Sequence, residues 1–522
     1  MLTSMPEAPI PVAGALGPGI VAGERFLSDT ELNRNAARAA SALHDAGVWQ
    51  GDTVAILLRN DLPYFEVTRG AGLLGATIVA LNWHMTAAEI SYILEDCDAK
   101  VMVAHCDLLT ESVLAVCAGL EVIAVKPPSD IVAAHDLQEQ QCRVPGAIPE
   151  WSTWLAGYAE WQQPALAPIN PMFYTSGTSG LPKGVRRKPV APEVAQRAAA
   201  RSARAWGLDQ TAVVSVMTGP LYHSAPNAYG MSVVRNGGLL ILQPRFDAQE
   251  LLALIETHRV SHLHMVPTMF SRLLSLEERT RSQADVSSLK FVTHGAAPCS
   301  RDIKQAMIEW WGEVIYEYYA MTETGIIATC DSRQWLAHPG TVGTAVDGVE
   351  LRIRRESGLA AETGETGQIC VRSETTPFVS YHRAEEKTAS LREGDFILTG
   401  DVGHIDADGF LYISDRLSDM VISGGVNIYP AEVEKVLLGM PGVTDCAVFG
   451  VPDQEFGERL VAVIATEAAS DSALVQRYLA ESLSNYKIPR EYHFDLPLPR
   501  EDSGKIKKRL LRDMLLSDNR PD

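Results

Sequence analysis

Hydrophobic and polar positions alternate in a repeating order over the first hundred residues of the chain. Apolar residues recur at helical spacing after the polar pair Asp29-Thr30, which predicts a helix that ends at Gly47. The apolar run 53–58 predicts a buried strand, and Thr86 and Glu89 have the spacing of a capping box at the start of a later helix. This succession of strands and helices predicts a layered α/β domain with parallel strands.

The same succession returns in the middle of the chain. The run 237–242 predicts a strand, and Asp247 is placed to cap the helix that leads to the apolar run 260–266. Between positions 340 and 400, glycine, threonine and β-branched residues dominate without helical periodicity. These patterns add a second layered subdomain and a small β-rich subdomain to the first unit.

A polar segment at 415–419 separates two strand-like runs and predicts a domain boundary. We therefore expect an N-terminal domain over residues 1–417 and a C-terminal domain over residues 418–522. The second is large enough to have its own core and to move as a body. The predicted fold class is α/β, with a large N-terminal domain of two layered α/β subdomains plus a β-rich subdomain, and a small mobile α+β C-terminal domain.

The composition is that of a globular protein, with 522 residues of which 46% are hydrophobic. The formal net charge of −20 disfavours nucleic acid and anionic membranes as general partners. A bound anion must then be held by local cations and backbone N–H groups. Cationic residues inside motifs therefore carry more weight than usual.

The eight cysteines include no CxxC pair and have no histidine-rich neighbourhood, which disfavours a zinc site and a disulfide framework. Cysteines scattered in this way are usually buried and reduced. We see no basic stretch followed by an apolar segment at the N-terminus, and no apolar run of membrane-spanning length. We therefore expect a cytoplasmic protein without stable insertion into a membrane.

A glycine-rich loop follows the short apolar run at 171–174, where a strand is predicted to end. The backbone N–H groups of such a loop can turn inward around an anion, and phosphate is the obvious candidate. Lys183 is followed by Gly184, so the loop lacks the hydroxyl residue of a Walker A motif. Composition alone would favour a flexible surface loop. The candidate phosphate-binding residues are Thr175, Ser176, Gly177, Thr178, Ser179, Gly180 and Lys183.

The order of residues in this loop, Thr-Ser-Gly-Thr-Ser-Gly-Leu-Pro-Lys-Gly, resembles the phosphate loop of the acyl-adenylate-forming superfamily. That superfamily holds acyl-CoA synthetases, peptide-synthetase adenylation domains and luciferases. Later stretches resemble its other motifs in the expected order, and the resemblance covers about residues 25 to 515. These stretches are Gly295-Ala296-Ala297, Tyr318 to Glu323, Gly400-Asp401, Arg416, residues 423–434 and residues 499–506.

The stretch Tyr318-Tyr319-Ala320-Met321-Thr322-Glu323 resembles the superfamily motif Tyr-Gly-x-Thr-Glu. The resemblance implies that tyrosine stacks near adenine, that Thr322 hydrogen-bonds a phosphate and that Glu323 holds Mg²⁺, an ion that prefers carboxylate and phosphate oxygens. Ala320 stands where the superfamily has glycine, and its methyl group narrows the approach slightly. Taken alone, residues 322–325 would also suit a capped helix start.

Further residues have roles that the resemblance implies. Asp401 would accept hydrogen bonds from the ribose hydroxyls, Arg416 would donate to them or to phosphate, and Lys505 would catalyse adenylation. Taken alone, Lys505 would suit the solvated start of a basic helix. Near Arg416 and Lys505, the sequence departs from the superfamily pattern at two places. Ser418 stands where the superfamily hinge carries Asp or Lys, and the acidic pair Glu501-Asp502 replaces a common threonine.

The resemblance also implies how the acid and a thiol are held. The segment Gly295-Ala296-Ala297 lines the adenine and acyl pocket in the superfamily, and His223 resembles the gate between acyl pocket and thiol tunnel. The pair Gly424-Gly425 lies in the stretch that approaches this tunnel when the C-terminal domain rotates about its hinge. We expect the acyl pocket to draw on residues 220–230, on His294 and on Ala320, without an Asp or Lys that would bind an α-amino group.

The resemblance implies an ATP-dependent carboxylate–CoA ligase that forms acyl-AMP and pyrophosphate, and then acyl-CoA and AMP. The implied ligands are ATP, Mg²⁺ and coenzyme A as co-substrate, and the apolar surroundings of the predicted pocket favour a fatty or other hydrophobic carboxylic acid. We expect free coenzyme A as the acceptor, since we see no carrier module after Lys505.

Alternative functions stay open at this point. They are a ligase that loads a separate carrier protein, a 4-coumarate-like aryl-CoA ligase, a luciferase-like oxygenase and a regulatory nucleotide-binding protein. Retention of the candidate cations and carboxylates disfavours the regulatory protein. We expect a monomer or homodimer that has no nucleic-acid partner.

Overall fold

A computed structural model provides the fold of this chain. It describes residues 16–167, 169–175, 182–209, 212–376, 379–417, 419–423, 426–454, 456–466, 471–500, 504 and 506–518.

The segment up to residue 156 alternates strands and helices, as its pattern predicts. The strands β4-β3-β5-β6 form a sheet in which all neighbours run parallel, and α2 and α3 are its crossover helices. The elements are β1 (Gly19–Ala22), β2 (Arg25–Ser28), α1 (Asp29–Asp45), β3 (Thr53–Leu57), α2 (Leu62–Leu73), β4 (Thr77–Ala80), α3 (Ala87–Asp96), β5 (Ala99–His105), α4 (Glu111–Val116), β6 (Glu121–Val125), α5 (Ser129–Ala134) and α6 (Trp151–Ala156).

The middle segment builds a second layered unit. Its elements are β7 (Phe173–Thr175), β8 (Lys183–Arg187), α7 (Pro192–Ala205), β9 (Val214–Met217), α8 (Ser224–Arg235), β10 (Leu239–Leu242), α9 (Ala248–His258), β11 (His262–Met265), α10 (Pro267–Leu274), α11 (Glu278–Gln283), β12 (Phe291–His294), α12 (Arg301–Trp311), β13 (Ile315–Met321), β14 (Gly325–Cys330), α13 (Ser332–Ala337) and β15 (Thr344–Ala345). The sheet order is β15-β14-β13-β12-β11-β9-β10-β1-β2, and every neighbouring pair from β13 to β1 in that order is parallel.

The next segment is rich in strands, as predicted. It contains β16 (Val349–Arg354), β17 (Gly367–Ser373), β18 (Val379–Tyr381), α14 (Glu385–Ser390), β19 (Arg392–Glu393), β20 (Phe396–Ile405) and β21 (Leu411–Arg416). The order β16-β17-β20-β19 is antiparallel, and β21 pairs with β20. β18 joins β8 and β7 in a separate antiparallel sheet.

The final segment forms an α+β unit with its own sheet. Its elements are β22 (Val421–Ser423), β23 (Val426–Ile428), α15 (Pro430–Leu438), β24 (Val443–Asp453), β25 (Gly457–Thr466), α16 (Ser472–Ala480), β26 (Glu491–His493) and α17 (Lys508–Asp518). The sheet order is β23-β22-β25-β24, with β26 paired to β25. The predicted α/β class with a large N-terminal and a small C-terminal domain is confirmed.

Successive residues of the buried strands pack into cores on opposite faces of their sheets. Val54 and Ile56 of β3 belong to the core that includes α1 and α2, whereas Ala55 and Leu57 pack with Ile90 of α3. Side chains of a strand alternate between faces, so a continuous apolar run buries both sides of a parallel sheet. This burial explains why these short runs predict central strands.

The helix starts show how well local signals work. Thr86 and Glu89 form the predicted capping box of α3, and Asp247 accepts from the backbone N–H of Glu250 at 2.8 Å to cap α9. The cap of α1 is Ser28 rather than Asp29, because the Ser28 hydroxyl accepts the hydrogen bond that closes its capping box. Among the helices in the described part of the chain, none is both long and apolar enough to cross a membrane.

Candidate active site

Thr322 and Glu323 lie in the hairpin turn between β13 and β14, so the alternative of a helix start at this position is wrong. Arg187 of β8 donates from Nε and Nη2 to the Thr322 carbonyl oxygen, at 3.1 and 2.5 Å. The Ser224 hydroxyl, at the start of α8, lies 3.1 Å from the Thr322 hydroxyl. Two separate elements therefore hold this turn in place.

Glu323 is buried beside a lysine and a tyrosine. The Tyr381 hydroxyl donates to Glu323 Oε1 at 2.9 Å, and Lys183 Nζ lies 5.1 Å from the centre of the Tyr381 ring. Burial lowers the pKa of Lys183, Lys387 lowers it further and the Glu323 charge opposes this shift. The site thus contains a lysine and a carboxylate that both contact Tyr381.

Asp401 lies where β20 pairs with β21 and is engaged on both carboxylate oxygens. The Tyr319 hydroxyl donates to Asp401 Oδ2 at 2.5 Å, and Arg416 Nε lies 3.2 Å from Oδ1. Asp401 and Arg416 are direct cross-strand partners in the β20–β21 ladder. Burial, and next the Asp401 charge, raise the pKa of Tyr319 well above its usual value. Tyr319 therefore stays a hydrogen-bond donor to Asp401.

Tyr318 points to the other face of β13 and lies with a histidine. Its hydroxyl and His264 Nε2 share a hydrogen bond of 2.7 Å, and burial lowers the pKa of His264 to about 4. Gly295 packs against Tyr318 so closely that a Cβ would lie 2.7 Å from the Tyr318 ring. Since adjacent residues of a strand face opposite ways, the structure separates Tyr318 from Tyr319.

An apolar cavity of about 120 Å³, which we call the pocket, lies between the start of α8, the end of β11 and α10. It is lined by residues 219–220, 223–226 and 264–266, together with Met269 and Ala296. Ser224, which lines the pocket, is also the residue that contacts Thr322. The pocket therefore adjoins the turn that carries Glu323.

Several residues predicted at the pocket or next to it lie elsewhere. Asn227 is buried and donates to Tyr64 Oη at 2.7 Å, and Gly230 packs against Met217. His294 is buried edge-on against Phe270, with ring centroids 5.2 Å apart. Ala320 lies at a register shift in the β13–β14 pairing, and Ala297 is part-exposed after β12. His223 lines the pocket as predicted.

Gly504, in the C-terminal unit, contacts the N-terminal unit beside the pocket. Gly504 has φ +81°, and a Cβ at this position would lie 2.8 Å from Thr268 Oγ1 in α10. Arg500 donates to the Gly504 carbonyl oxygen and pairs with Asp445 of the C-terminal unit at 2.5 Å. The residue that precedes Lys505 thus lies against the helix that carries Met269.

A second contact joins the two units at the predicted boundary. Asp415, on β21, accepts from the backbone N–H of Ala431 in α15 at 2.8 Å. Lys508 lies near Asp415 and pairs with Glu434 at 2.8 Å. Burial raises the pKa of Asp415 to about 6; the Ala431 backbone N–H and the Lys508 charge oppose this shift, whereas the Glu434 charge adds to it. The Asp415 carboxylate therefore joins β21 to the start of α15, on the other side of the predicted domain boundary.

Part of the predicted site falls outside the described residues. Thr175 and Lys183 are paired across β7 and β8 at the base of the glycine-rich loop. The remaining predicted positions lie outside the described ranges. They are Ser176, Gly177, Thr178, Ser179, Gly180, Ser418, Gly424, Gly425, Glu501, Asp502 and Lys505.

Arg187, Tyr381 and His264 also belong to the site, although none of them is predicted from the sequence. Lys183 and Arg187 are four residues apart on one strand, so the period of two places them on the same face, and this signal could have found Arg187. Tyr381 and His264 reach the site through strand pairing and helix packing, for which the local pattern has no signal.

Family profiles match both units of this chain. Residues 14–379 match the AMP-binding enzyme family, and residues 432–505 match the AMP-binding enzyme C-terminal domain. The two matches occur in the same order as the two structural units.

Individual relatives align over almost the whole chain. A feruloyl-CoA synthase from Amycolatopsis sp is 33% identical over 500 residues, which cover 93% of each chain. A long-chain-fatty-acid–CoA ligase from Mycobacterium tuberculosis is 30% identical over 500 residues, which cover 92% of each chain. ATP-bound MatB from Rhodopseudomonas palustris has the same fold, with a TM-score of 0.82, 27% identity and 96% of each chain covered.

Proposed function

The chain belongs to the AMP-binding enzyme family, and from this premise we propose that it is an ATP-dependent ligase that joins a hydrophobic carboxylic acid to coenzyme A. A carboxylate is a poor electrophile, because attack on it adds charge to an anion. In the first half-reaction a carboxylate oxygen attacks the α-phosphate of ATP, which forms acyl-AMP and releases pyrophosphate. In the second, the thiol of coenzyme A attacks the acyl carbon and AMP leaves.

The Ser224–Thr322 hydrogen bond is the observation that carries this proposal, because it joins an apolar pocket to a turn with a buried carboxylate. An acid whose tail lies in the pocket presents its carboxylate to this bond. Lys183 and Glu323 lie at the same edge, where a phosphate chain would need a cation and a metal ligand. Positioning of the two reactants is the main contribution that a protein makes to such a transfer.

The nucleotide would lie along the β20–β21 edge. We assign Asp401 to the ribose hydroxyls and Arg416 to the ribose or phosphate, with Tyr319 holding the Asp401 carboxylate in place. Lys183 and the glycine-rich loop would receive the pyrophosphate, with N–H groups as donors. Arg187 would position Thr322 rather than touch the nucleotide, since its Nε and Nη2 both donate to the Thr322 carbonyl oxygen.

Glu323 fits the requirements of a Mg²⁺ ligand. It offers a hard carboxylate oxygen, which this ion prefers, and the hydrogen bond from Tyr381 orients the group. A magnesium ion bound there would neutralise charge on the triphosphate.

Lys505 would stabilise the charge that develops on the α-phosphate in the first half-reaction. The packing of Gly504 against Thr268 supports this role, because it brings the preceding residue to the helix that lines the pocket. For the second half-reaction we propose that a C-terminal domain over 418–522 moves relative to the domain over 1–417. Pairing supports this boundary, since β21 ends at Arg416 in one sheet and β22 begins at Val421 in another.

We further propose that the enzyme acts in the cytoplasm, as a monomer or homodimer. The cysteines are free thiols and most are buried, which suits a reducing compartment. The net charge of −20 disfavours nucleic acid as a partner.

A panel of carboxylic acids tests this function. Purified protein, ATP, Mg²⁺ and coenzyme A are incubated with aryl, short-chain and long-chain acids, and AMP release is measured. We expect AMP only when both the acid and coenzyme A are present, together with acid-dependent pyrophosphate exchange in the absence of coenzyme A. A carrier-loading enzyme would instead need a phosphopantetheinylated carrier protein in place of coenzyme A. Failure of every acid to support pyrophosphate exchange would overturn the proposal.

A further inference from the structure

The size of the pocket limits the acid that it can hold. Its volume is about 120 Å³. A cavity of about 150 Å³ holds one benzene molecule. By this comparison the pocket holds about four to six non-hydrogen atoms. A fatty chain of about sixteen carbons would need several times that volume.

The side chains that line the pocket differ in how firmly neighbouring residues hold them. His264 lines the pocket and is fixed by its hydrogen bond to Tyr318 and by packing on the Tyr229 ring at 5.1 Å. Met269 of α10 also lines the pocket and is only 5% exposed. Its long, unbranched side chain fills volume that a smaller residue would leave free. Met269 is therefore the lining residue whose size we expect to limit the length of the acyl group.

The pocket also selects against charge. Among the residues that line it in the described parts of the chain there is no lysine, arginine, aspartate or glutamate. The His264 ring is buried and already hydrogen-bonded to a tyrosine. A second carboxylate or an ammonium group on the acid would lose its hydration there without gaining a lysine, arginine, aspartate or glutamate as a partner.

We propose that the substrate is a compact, uncharged monocarboxylic acid, either a single aromatic ring or a short alkyl chain, and that Met269 sets its upper size. This inference rests on the proposed ligase function and narrows it from hydrophobic acids in general to small ones. The carboxylate lies at Ser224 and Thr322, and the acyl group ends against His264 and Met269.

Matched acids test size and charge separately. Acid-dependent pyrophosphate release is measured for butanoate, hexanoate, benzoate, decanoate and hexadecanoate, and for adipate and 6-aminohexanoate, which have the length of hexanoate and a second charge. We expect kcat/KM for hexanoate or benzoate to exceed that for hexadecanoate, adipate and 6-aminohexanoate by at least about 100-fold each.

A pair of variants tests the role of Met269. Met269→Ala is expected to raise kcat/KM for decanoate relative to hexanoate by at least about tenfold, because it lengthens the pocket by several atoms. Met307→Ala is the matched control, since Met307 is a fully buried methionine in the same core that does not line the pocket. It removes the same atoms and should leave the ratio between the two acids unchanged.

The outcomes separate this inference from the function on which it rests. Preference of the wild type for hexadecanoate or for a doubly charged acid overturns the inference and leaves the ligase function standing. An equal decanoate-to-hexanoate ratio in both variants overturns the role of Met269. Lack of pyrophosphate release with every acid overturns the ligase function and the inference together.

Discussion

The pocket and the charged residues beside it are built in opposite ways, although they meet at one hydrogen bond between Ser224 and Thr322. We call Lys183, Glu323, Asp401 and Arg416 the charged wall. Polar or aromatic partners from neighbouring strands place the members of the charged wall. The pocket is enclosed mostly by apolar atoms from helix starts and strand ends, with no lysine, arginine, aspartate or glutamate among its described lining residues.

We infer that the charged wall sets the type of reaction, whereas the pocket sets the choice of acid. Hydrogen bonds and charges are directional, so the charged wall depends on a few individual contacts. Packing is not directional, so the pocket depends on the volume that all its neighbours leave free. Changes at the charged wall should therefore slow the reaction of every acid equally, whereas changes at the pocket should alter the ratio between acids.

The largest effect that would sharpen this comparison is expected from Lys505→Ala. Acyl-AMP formation should fall about 100- to 1,000-fold, because a positioned donor to developing charge is removed. The fall should be the same for each acid, and conversion of supplied acyl-AMP to acyl-CoA should stay close to wild type. Pyrophosphate exchange measures the first half-reaction, and acyl-CoA formation from synthetic acyl-AMP measures the second.

Lys507→Ala is the matched control for this variant. Lys507 is exposed in the same basic run, and its backbone N–H bond to the Pro499 carbonyl, at 2.8 Å, survives the substitution. Its activity should equal that of the wild type in both half-reactions. Equal losses in both half-reactions for Lys505→Ala would contradict the assigned role.

A smaller effect on the charged wall is expected from Tyr319→Phe. The variant loses the 2.5 Å hydrogen bond to Asp401, which keeps Arg416 as its other partner. Such a bond to a charged group contributes about 1.5 kcal/mol or more, so KM for ATP should rise about tenfold. Steady-state kinetics at saturating acid measure this change, and the ratio between acids should not move.

Tyr316→Phe provides the comparison for that experiment. Tyr316 lies on the same strand and stacks on Phe291 at 3.6 Å, so the variant removes a hydroxyl without touching Asp401. An equal rise of KM for ATP in both variants, or a change in acid preference with Tyr319→Phe, would break the proposed separation between charged wall and pocket.

The smallest effect is expected on stability, from Asp415→Asn beside the charged wall. Burial raises the pKa of Asp415 to about 6 in the folded protein, above its value of about 3.9 in an unfolded chain. The folded state therefore binds the proton more tightly, and the stability that this proton provides is lost as pH rises from about 4 through 6. Between about pH 4.5 and 7.5 the wild type should lose about 2 kcal/mol of unfolding free energy relative to the variant.

Urea denaturation at several pH values within that window measures this difference. Asparagine keeps an oxygen that can accept from the backbone N–H of Ala431, so the hydrogen bond across the boundary is retained. Parallel pH profiles for wild type and variant would show that Asp415 does not titrate in this range.

The layered architecture and the family could be predicted from the amino-acid sequence alone. The apolar runs of β3 and β10, the capping box at Thr86 and the cap at Asp247 are local signals that depend on residues at most four apart. The order of motifs from the glycine-rich loop to Arg416 identified the superfamily and hence the chemistry. The helix alternative at Thr322 was wrong because pairing of β13 with β14 makes this segment a hairpin turn.

Tertiary packing sets which side chains meet and how much room is left between them. It brought Arg187 to Thr322 and Tyr381 to Glu323, and it placed Tyr318 on His264 while Tyr319 went to Asp401. These contacts join residues that are far apart in the chain. The volume of the pocket likewise depends on how α8, α10 and β11 pack against one another. A local pattern of hydrophobic and polar residues does not specify how far apart these elements lie.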